Sequence, residues 1–304
     1  MKNVIVTGAS GFIGSNLVRN LVSRNINVCA IDFQFSEELQ HMKNVQCILC
    51  KDKTMNDIKM QLESTYFDCF FHLAWGGTSG PNRANYELQL NNVKMTCDYI
   101  MMASELGCKR FIYASSINEM ETYEYLQSDG IRPSGGYIYG TGKMAAHLMG
   151  ETVAYMNKVE FIPVIITNIY GVGEKSARLV NSTIRKLLKN EYCSFTEGKQ
   201  MYDFIYITDA INSVIEVADK GKPFNRYYIG SGYPKPLRDF LTELRDVVNP
   251  NAKLGIGDIP FNGIDISYDQ FKLKKVYEDT GYENKIPFAE GIRLTVEYIN
   301  SEEE

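Results

Sequence analysis

The residues of this chain best suited to proton transfer are a tyrosine and a lysine four positions apart. Tyr139 and Lys143 lie in the segment Tyr-Gly-Thr-Gly-Lys, and on a helix this spacing puts both side chains on one face. A free tyrosine ionises at about pH 10, and a neighbouring ammonium group stabilises its anion. Ser116, at the end of an apolar run, can hydrogen-bond the same substrate oxygen. The three residues predict a base that removes a hydroxyl proton and later returns it.

A glycine-rich segment near the start of the chain predicts a site for phosphate groups. It reads Thr-Gly-Ala-Ser-Gly-Phe-Ile-Gly and directly follows the apolar run Val-Ile-Val. Gly8 lets the chain turn, Gly11 lets a pyrophosphate approach the backbone, and Gly14 lets the following helix pack closely on the sheet. The free N–H groups at the helix start, which include those of Phe12 and Ile13, bind anions. We therefore expect a dinucleotide at this loop.

An acidic residue after the next strand predicts which dinucleotide binds. Asp32 follows the glycines at the spacing expected for a carboxylate that holds the adenosine ribose. Its charge repels a 2′-phosphate, so the sequence favours NAD over NADP; the alternative is that Asp32 only caps a turn. We also assign Phe33 to the cofactor, and Asp52 and Lys53, after the third predicted strand, to its adenine.

Composition narrows the class of protein. The 304 residues are 44% hydrophobic and carry a net charge of −5. This negative charge argues against binding to nucleic acid. No apolar run approaches the ~18 residues of a membrane span, and we expect no signal peptide. The seven cysteines form no disulfide framework and the three histidines no metal-ligand spacing. These observations predict a cytoplasmic protein without a structural metal.

The order of predicted elements indicates an α/β fold. Predicted strands cover 2–7, 27–32, 45–50, 68–73, 109–115 and 160–167, and predicted helices cover 11–24, 82–106 and 136–156. Strands that alternate with helices form a doubly wound parallel sheet of the Rossmann type. We expect an NAD-binding domain over 1–170 and a smaller α/β substrate-binding lobe over 171–304, parts of which can return to the main sheet.

Together these motifs resemble those of the extended short-chain dehydrogenases/reductases, of the NAD-dependent sugar-nucleotide epimerase/dehydratase type. The matching segments are 7–14, Asp32, 71–74, Asn92 with Thr96, 109–116, Tyr139 with Lys143, 168–171, 203–209 and 228–232. The resemblance makes Ser116, Tyr139 and Lys143 the catalytic triad, and it makes Asn168 a substrate contact. It implies further cofactor contacts at Leu73, Ala74, Trp75, Asn92 and Thr167.

Trp75, the only tryptophan in the chain, leaves two readings open. In a flexible glycine-rich loop it could serve as a platform or lid for a sugar. Equally, it could only pack beside the nicotinamide.

The chain also departs from the family pattern. The 4,6-dehydratases carry an acid pair directly after the catalytic serine or threonine, whereas this chain has Ile117 and Asn118. Expulsion of water is therefore disfavoured. An arginine that grips the substrate diphosphate is replaced by Tyr202, and a second is missing near 261–265.

Other arginines could supply the missing diphosphate contacts. Arg178 and Arg185 lie on or beside a predicted helix over 176–189, and we expect one of them to bind the diphosphate. The alternative is a solvated basic face.

The expected function is that of an NAD-dependent nucleotide-sugar epimerase acting at C4, with a place in polysaccharide biosynthesis. The alternative is an NAD(P)H-dependent reductase or dehydrogenase of keto-sugars of the NDP-4-keto-6-deoxysugar type. A catalytically silent, cofactor-sensing regulator is a third possibility, and the intact triad argues against it. We further expect a homodimer through the helices that contain 92–105 and 143–155, which are apolar beyond a single stripe; otherwise another part of the same chain covers them.

Overall fold

The computed structural model describes residues 1–64 and 66–303. Its strands are β1 (Asn3–Thr7), β2 (Asn27–Asp32), β3 (Val45–Leu49), β4 (Cys69–His72), β5 (Arg110–Ser116), β6 (Glu160–Ile166), β7 (Asn168–Tyr170), β8 (Cys193–Phe195), β9 (Met201–Tyr202), β10 (Phe204–Tyr206), β11 (Tyr227–Ile229), β12 (Lys235–Pro236) and β13 (Leu254–Ile256). Its helices are α1 (Phe12–Ser23), α2 (Glu37–His41), α3 (Met55–Lys59), α4 (Tyr86–Glu105), α5 (Asn118–Gln127), α6 (Gly135–Met156), α7 (Leu179–Leu188), α8 (Ile207–Lys220), α9 (Leu237–Val248), α10 (Lys275–Thr280) and α11 (Phe288–Glu303). Short 3₁₀ turns cover Pro81–Ala84 and Tyr268–Gln270.

Seven strands form one parallel sheet in the order β11-β6-β5-β4-β1-β2-β3. The chain runs outward from β1 to β3 and then returns to place β4 beside β1. This reversal opens a crevice at the carboxyl ends of the strands, which is where ligands bind in such sheets. The predicted Rossmann-type fold is confirmed.

Both faces of the sheet are covered. In β1, Val4 and Val6 belong to the apolar cluster that includes residues of α1 and α8. Ile5 points to the opposite face and belongs to the cluster that includes residues of α4 and α6. Burial on both faces explains why the central strands are almost continuously apolar.

All six predicted strands of the first half are present, within two residues at each end. The sequence analysis missed α5 and did not predict that β11 extends the sheet beside β6. Because β11 comes from the second half of the chain, that half does contribute to the main sheet. The domain boundary at 170 and 171 stays a prediction.

No helix within 1–64 and 66–303 is both long enough and apolar enough to cross a membrane. All seven cysteines are free thiols.

Candidate active site

The loop after β1 is shaped by two glycines. Gly8 has φ +70°, and a Cβ atom there would lie 2.7 Å from the backbone nitrogen of Ala74. A Cβ atom on Gly14 would lie far inside van der Waals contact with the carbonyl oxygen of Gly8. The end of β1, the start of α1 and the loop after β4 can therefore approach one another only because both positions are glycine.

The third glycine is also closely approached by backbone, although less tightly than the other two. A Cβ atom on Gly11 would meet only the Gly8 carbonyl oxygen, at 3.3 Å. Gly11 is the N-cap of α1, where no side chain caps the helix and no acidic residue lies in the first turn. The first-turn N–H groups, among them those of Phe12 and Ile13, have no acceptor within the helix. This open, positively polarised helix start fits the pyrophosphate of a dinucleotide.

The carboxylate of Asp32 is held beside this loop. Its Oδ2 atom accepts a hydrogen bond of 2.8 Å from the N–H of Ser10, and its Oδ1 atom accepts one of 2.7 Å from the N–H of Phe33. Both oxygens keep lone pairs for further donors. An anchored carboxylate at this distance from the glycines fits ribose hydroxyls, and Phe33 is exposed next to it.

Asp52 and Lys53 follow β3 at the same edge of the sheet. Asp52 adopts a left-handed backbone conformation with φ +58°. The Nζ atom of Lys53 donates a 2.7 Å hydrogen bond to Gln61. Both are exposed, and their assignment to the adenine stays a prediction.

The structure brings Ser116 and Tyr139 together. Ser116 ends β5 and Tyr139 lies in the second turn of α6, where it is 8% exposed. Burial raises the pKa of Tyr139, and a hydrogen bond with Ser116 and the positive charges of Arg83 and Arg178 oppose that rise. The two hydroxyl groups can thus contact one substrate oxygen.

Lys143 lies one turn further along α6 and is almost completely buried. Its Nζ atom donates a 2.7 Å hydrogen bond to the carbonyl oxygen of Ala114 and sits 3.7 Å from the ring centroid of Trp75. Burial lowers the pKa of Lys143 to about 7, and the negative charge of Glu119 opposes that change. The ammonium is thus held beneath the crevice by β5 and by an aromatic face.

The loop after β4 is fixed by side chains of α4. The Nε1 atom of Trp75 donates to Gln89 at 2.8 Å. The Asn92 side chain accepts from the N–H of Gly76 at 3.0 Å and donates to its carbonyl oxygen at 2.8 Å. Asn92 therefore orders the loop that carries Trp75, and the ring of Trp75 packs edge-on against that of Tyr139.

The remaining predicted cofactor contacts are tied to the backbone around them. The N–H groups of Leu73 and Ala74 donate to Thr7, at 3.1 Å and 3.4 Å. The hydroxyl of Thr167 donates to the carbonyl oxygen of Ile229 at 3.0 Å. These residues border the crevice at the strand ends, and their contact with the cofactor stays a prediction.

The residues predicted to bind the substrate have different surroundings in the structure. The Asn168 side chain donates to the Asp203 carbonyl oxygen at 3.2 Å. Arg178, the exposed N-cap of α7, lies near enough to Tyr139 to lower its pKa. Arg185 instead pairs with Glu302 of α11 at 3.2 Å. The structure therefore connects Arg178, through its charge, with Tyr139, and it connects Arg185 with Glu302.

Two residues at the site were missed. The guanidinium carbon of Arg83 lies 4.6 Å from the ring centroid of Tyr139. Glu121, on α5, accepts a hydrogen bond from the side chain of Asn118. Burial raises the pKa of Glu121, while that hydrogen bond and the charge of Arg83 oppose the rise. Neither residue belongs to a recognisable motif, so the sequence offered no signal for them.

A third missed feature lies beneath the site. The Oε2 atom of Glu119 is 2.8 Å from Nδ1 of His147, and Oε1 accepts from Ser115. Glu119 and His147 are both buried. His147 follows Lys143 by four positions on α6, so this pair supports the helix face that carries the catalytic residues.

No group of three or more histidine, cysteine, aspartate or glutamate side chains is arranged to hold a metal ion in the part of the chain that the structure describes.

Comparisons with known proteins agree with this geometry. Residues 4–230 match the model of the NAD dependent epimerase/dehydratase family. The chain is 26% identical to the human (Homo sapiens) dTDP-D-glucose 4,6-dehydratase, over 98% of this chain and 89% of that protein. It is 28% identical to an uncharacterized UDP-glucose epimerase of Bacillus subtilis, over 84% of this chain and 85% of the relative.

Among solved structures, the fold is similar to that of UDP-glucuronic acid 4-epimerase from Bacillus cereus in complex with NAD. The TM-score is 0.78 at 17% identity, over 99% of this chain and all of that one. The match to the family model, together with the glycine loop and Asp32, leads to one conclusion: the chain belongs to the NAD dependent epimerase/dehydratase family, and NAD is its cofactor.

Proposed function

We propose that the protein is a nucleotide-sugar epimerase that inverts C4 of the sugar. The observation that carries this proposal is the hydroxyl pair of Ser116 and Tyr139, set above buried Lys143 at the strand ends that also carry the glycine loop. This arrangement suits reversible removal of a proton from a secondary alcohol. It does not include an acid at 117 or 118, where the chain has isoleucine and asparagine.

Each catalytic residue has a distinct task. Tyr139 removes the proton of the sugar hydroxyl and returns it after inversion, while Ser116 hydrogen-bonds the same oxygen and orients it. The positive charge of Lys143 favours the tyrosinate. NAD, which the glycine loop and Asp32 would hold, would supply a reversible acceptor for the hydride of the sugar carbon. Because no cofactor is consumed, tight retention through Asp32 and the helix start is compatible with repeated turnover.

The decisive experiment measures products and cofactor together. Purified protein is incubated with UDP-glucose, UDP-galactose and UDP-glucuronic acid, each without added cofactor, and products are identified by NMR. The proposal expects interconversion of C4 epimers with no net change in absorbance from reduced nicotinamide. In a parallel incubation with a 4-keto-6-deoxysugar nucleotide and added NADH or NADPH, stoichiometric consumption of the reduced cofactor, with no inversion of the three sugar nucleotides above, would instead establish a keto-sugar reductase.

One observation favours dehydration as a second candidate. Glu121 is a carboxyl group beside the site whose pKa burial raises, so it keeps its proton to a higher pH than an exposed glutamate does. An acid of this kind could protonate a departing hydroxyl group. The same incubation detects it as a product lighter by one water, and Glu121→Gln would abolish that product while sparing epimerisation.

We also propose a homodimer. Large apolar side chains are exposed along the neighbouring helices α4 and α6: Leu90, Met101, Leu148, Met149 and Tyr155. Helices apolar on a second face need a second burial surface. Sedimentation of the wild type should show a dimer at micromolar concentration and Leu148→Glu a monomer, whereas a monomeric wild type contradicts the proposal.

We further infer a cytoplasmic location and a role in polysaccharide biosynthesis. The free state of all seven cysteines supports the location. The inferred substrate class supports the role, since nucleotide sugars are the activated units from which such polymers are built.

A further inference from the structure

Arg83 is a cation over the ring of Tyr139 that forms no ion pair within 1–64 and 66–303. It lies on the 3₁₀ turn Pro81–Ala84, in the loop between β4 and α4, and is half-buried. Its Nε atom is shielded from solvent and makes no hydrogen bond to any group within 1–64 and 66–303. A buried N–H without an acceptor costs about 1–3 kcal/mol. A ligand can supply the acceptor once the Arg83 side chain shifts to present this nitrogen.

Arg83 interacts electrostatically with neighbouring titratable groups but is not held in an ion pair with them. Its charge lowers the pKa of both Tyr139 and Glu121. Yet none of the ion pairs within 4.0 Å in the described chain involves Arg83, so Glu121 does not neutralise it directly. Arg178 adds a second positive charge near Tyr139.

The position of the guanidinium limits what it can bind. It covers the ring of Tyr139 at 4.6 Å, and the hydroxyl of that ring must touch the reacting hydroxyl of the sugar. Arg83 therefore lies within reach of the groups that flank the reacting carbon of the sugar. A guanidinium stacked on an aromatic ring still presents its edge, and the fork of Nε and one Nη matches the two oxygens of a carboxylate.

We propose that Arg83 binds a carboxylate carried by the substrate sugar, so that the enzyme prefers sugar nucleotides of the uronic acid type. This inference rests on the proposed function for the placing of the sugar at Tyr139. It assigns the sugar carboxylate to Arg83 and leaves the diphosphate to Arg178.

Binding equilibria test the assignment without turnover. The NAD-loaded Tyr139→Phe protein, which keeps the ring beneath Arg83, is titrated calorimetrically with UDP-glucuronic acid, UDP-glucose and UDP. The two sugar nucleotides share the UDP group and differ in the carboxylate. Weak binding of the UDP group would therefore lower both affinities equally and would not change their ratio. We expect UDP-glucuronic acid to bind at least about 10-fold more tightly than UDP-glucose, as a charge-assisted bidentate contact implies.

Substitution of Arg83 then isolates the contact. In the same background, Arg83→Met should lower the affinity for UDP-glucuronic acid by roughly 10- to 100-fold. The affinities for UDP-glucose and UDP should change by no more than about two-fold. Arg83→Lys keeps the charge but loses the fork, and should recover only part of the affinity.

Three results would overturn the proposal. An equal loss for all three probes in Arg83→Met would place the diphosphate at Arg83, and an unchanged affinity for UDP-glucuronic acid would leave the arginine a structural cover for Tyr139. The proposal also fails if the parent shows no preference for UDP-glucuronic acid. Failure of epimerisation would leave these affinities unaffected, so the two proposals can fail separately.

Discussion

The two sides of the crevice are built in different ways. On the cofactor side, formed by the glycine loop, the start of α1 and Asp32, the backbone determines the geometry. Gly8 and Gly14 allow the approach of neighbouring segments, and two backbone N–H groups hold the carboxylate.

On the substrate side, formed by Arg83, Glu121, Tyr139 and Arg178, side chains from four separate segments converge. Charge and burial set their properties: Arg83 and Arg178 act on Tyr139, and Glu121 lies in the field of Arg83. The comparison indicates that backbone shape mainly defines the expected cofactor site, whereas charged side chains define the expected substrate site.

The largest effect is expected for Tyr139→Phe. Loss of the proton-transfer group should lower kcat by roughly 10²–10⁴-fold, while the ring and the fold remain. Tyr137→Phe, two positions away, is the matched control because Tyr137 stacks on Tyr125; it should keep nearly full turnover. Steady-state kinetics measure both, and near wild-type turnover by Tyr139→Phe would contradict the assignment.

A substitution on the cofactor side should act through shape. In Gly14→Ala the added methyl group collides with the Gly8 carbonyl, and we expect a loss of stability of about 1–3 kcal/mol together with loss of NAD binding. Gly11→Ala, whose methyl group would lie 3.3 Å from the Gly8 carbonyl oxygen, should be destabilised less and lose mainly cofactor affinity. Thermal unfolding with and without NAD separates the two; equal stability of both variants would count against this view of the loop.

Removal of the ribose carboxylate should weaken NAD selectively. Asp32→Ala is expected to lower NAD affinity by roughly 10-fold or more, because hydrogen bonds to a charged group are lost. The affinity for NADP, whose 2′-phosphate the carboxylate repels, should rise relative to the affinity for NAD. Fluorescence titration gives both dissociation constants, and a wild type that binds NADP more tightly would reverse the interpretation.

The smallest effect should distinguish two arginines of the second half. Arg178→Ala is expected to raise KM for the sugar nucleotide by about 10-fold without a change in NAD affinity. Arg185→Ala serves as the control, since Arg185 pairs with Glu302, and should leave KM within about two-fold. A larger KM effect for Arg185 than for Arg178 would contradict the arrangement in the structure.

The sequence predicted what depends on local order. The parallel strands, the glycine loop and the spacing of Tyr139 and Lys143 each follow from a short pattern of residues. Helix α5 was not predicted because its burial is the reverse of the usual hydrophobic pattern. It buries the polar residues Glu119 and Thr122 and exposes Tyr123 and Leu126.

Long-range contacts account for the rest. Arg83 reaches Tyr139 only through the path of the loop after β4, which Gln89 and Asn92 fix from another element. The three residues of β11 are too few to indicate a strand on their own, and they become one by pairing with β6. Spacing along the chain carries no information on such contacts.

Trp75 provides an intrinsic fluorescent probe of the crevice. It is the only tryptophan of the chain, and its indole contacts Lys143 and Tyr139, to which we assign the chemistry. All tryptophan emission from this protein therefore originates in the catalytic crevice, with no background from elsewhere in the chain. Occupancy of the site, its rate of filling and the presence of a reduced nicotinamide that absorbs the emission can be followed without attaching any label.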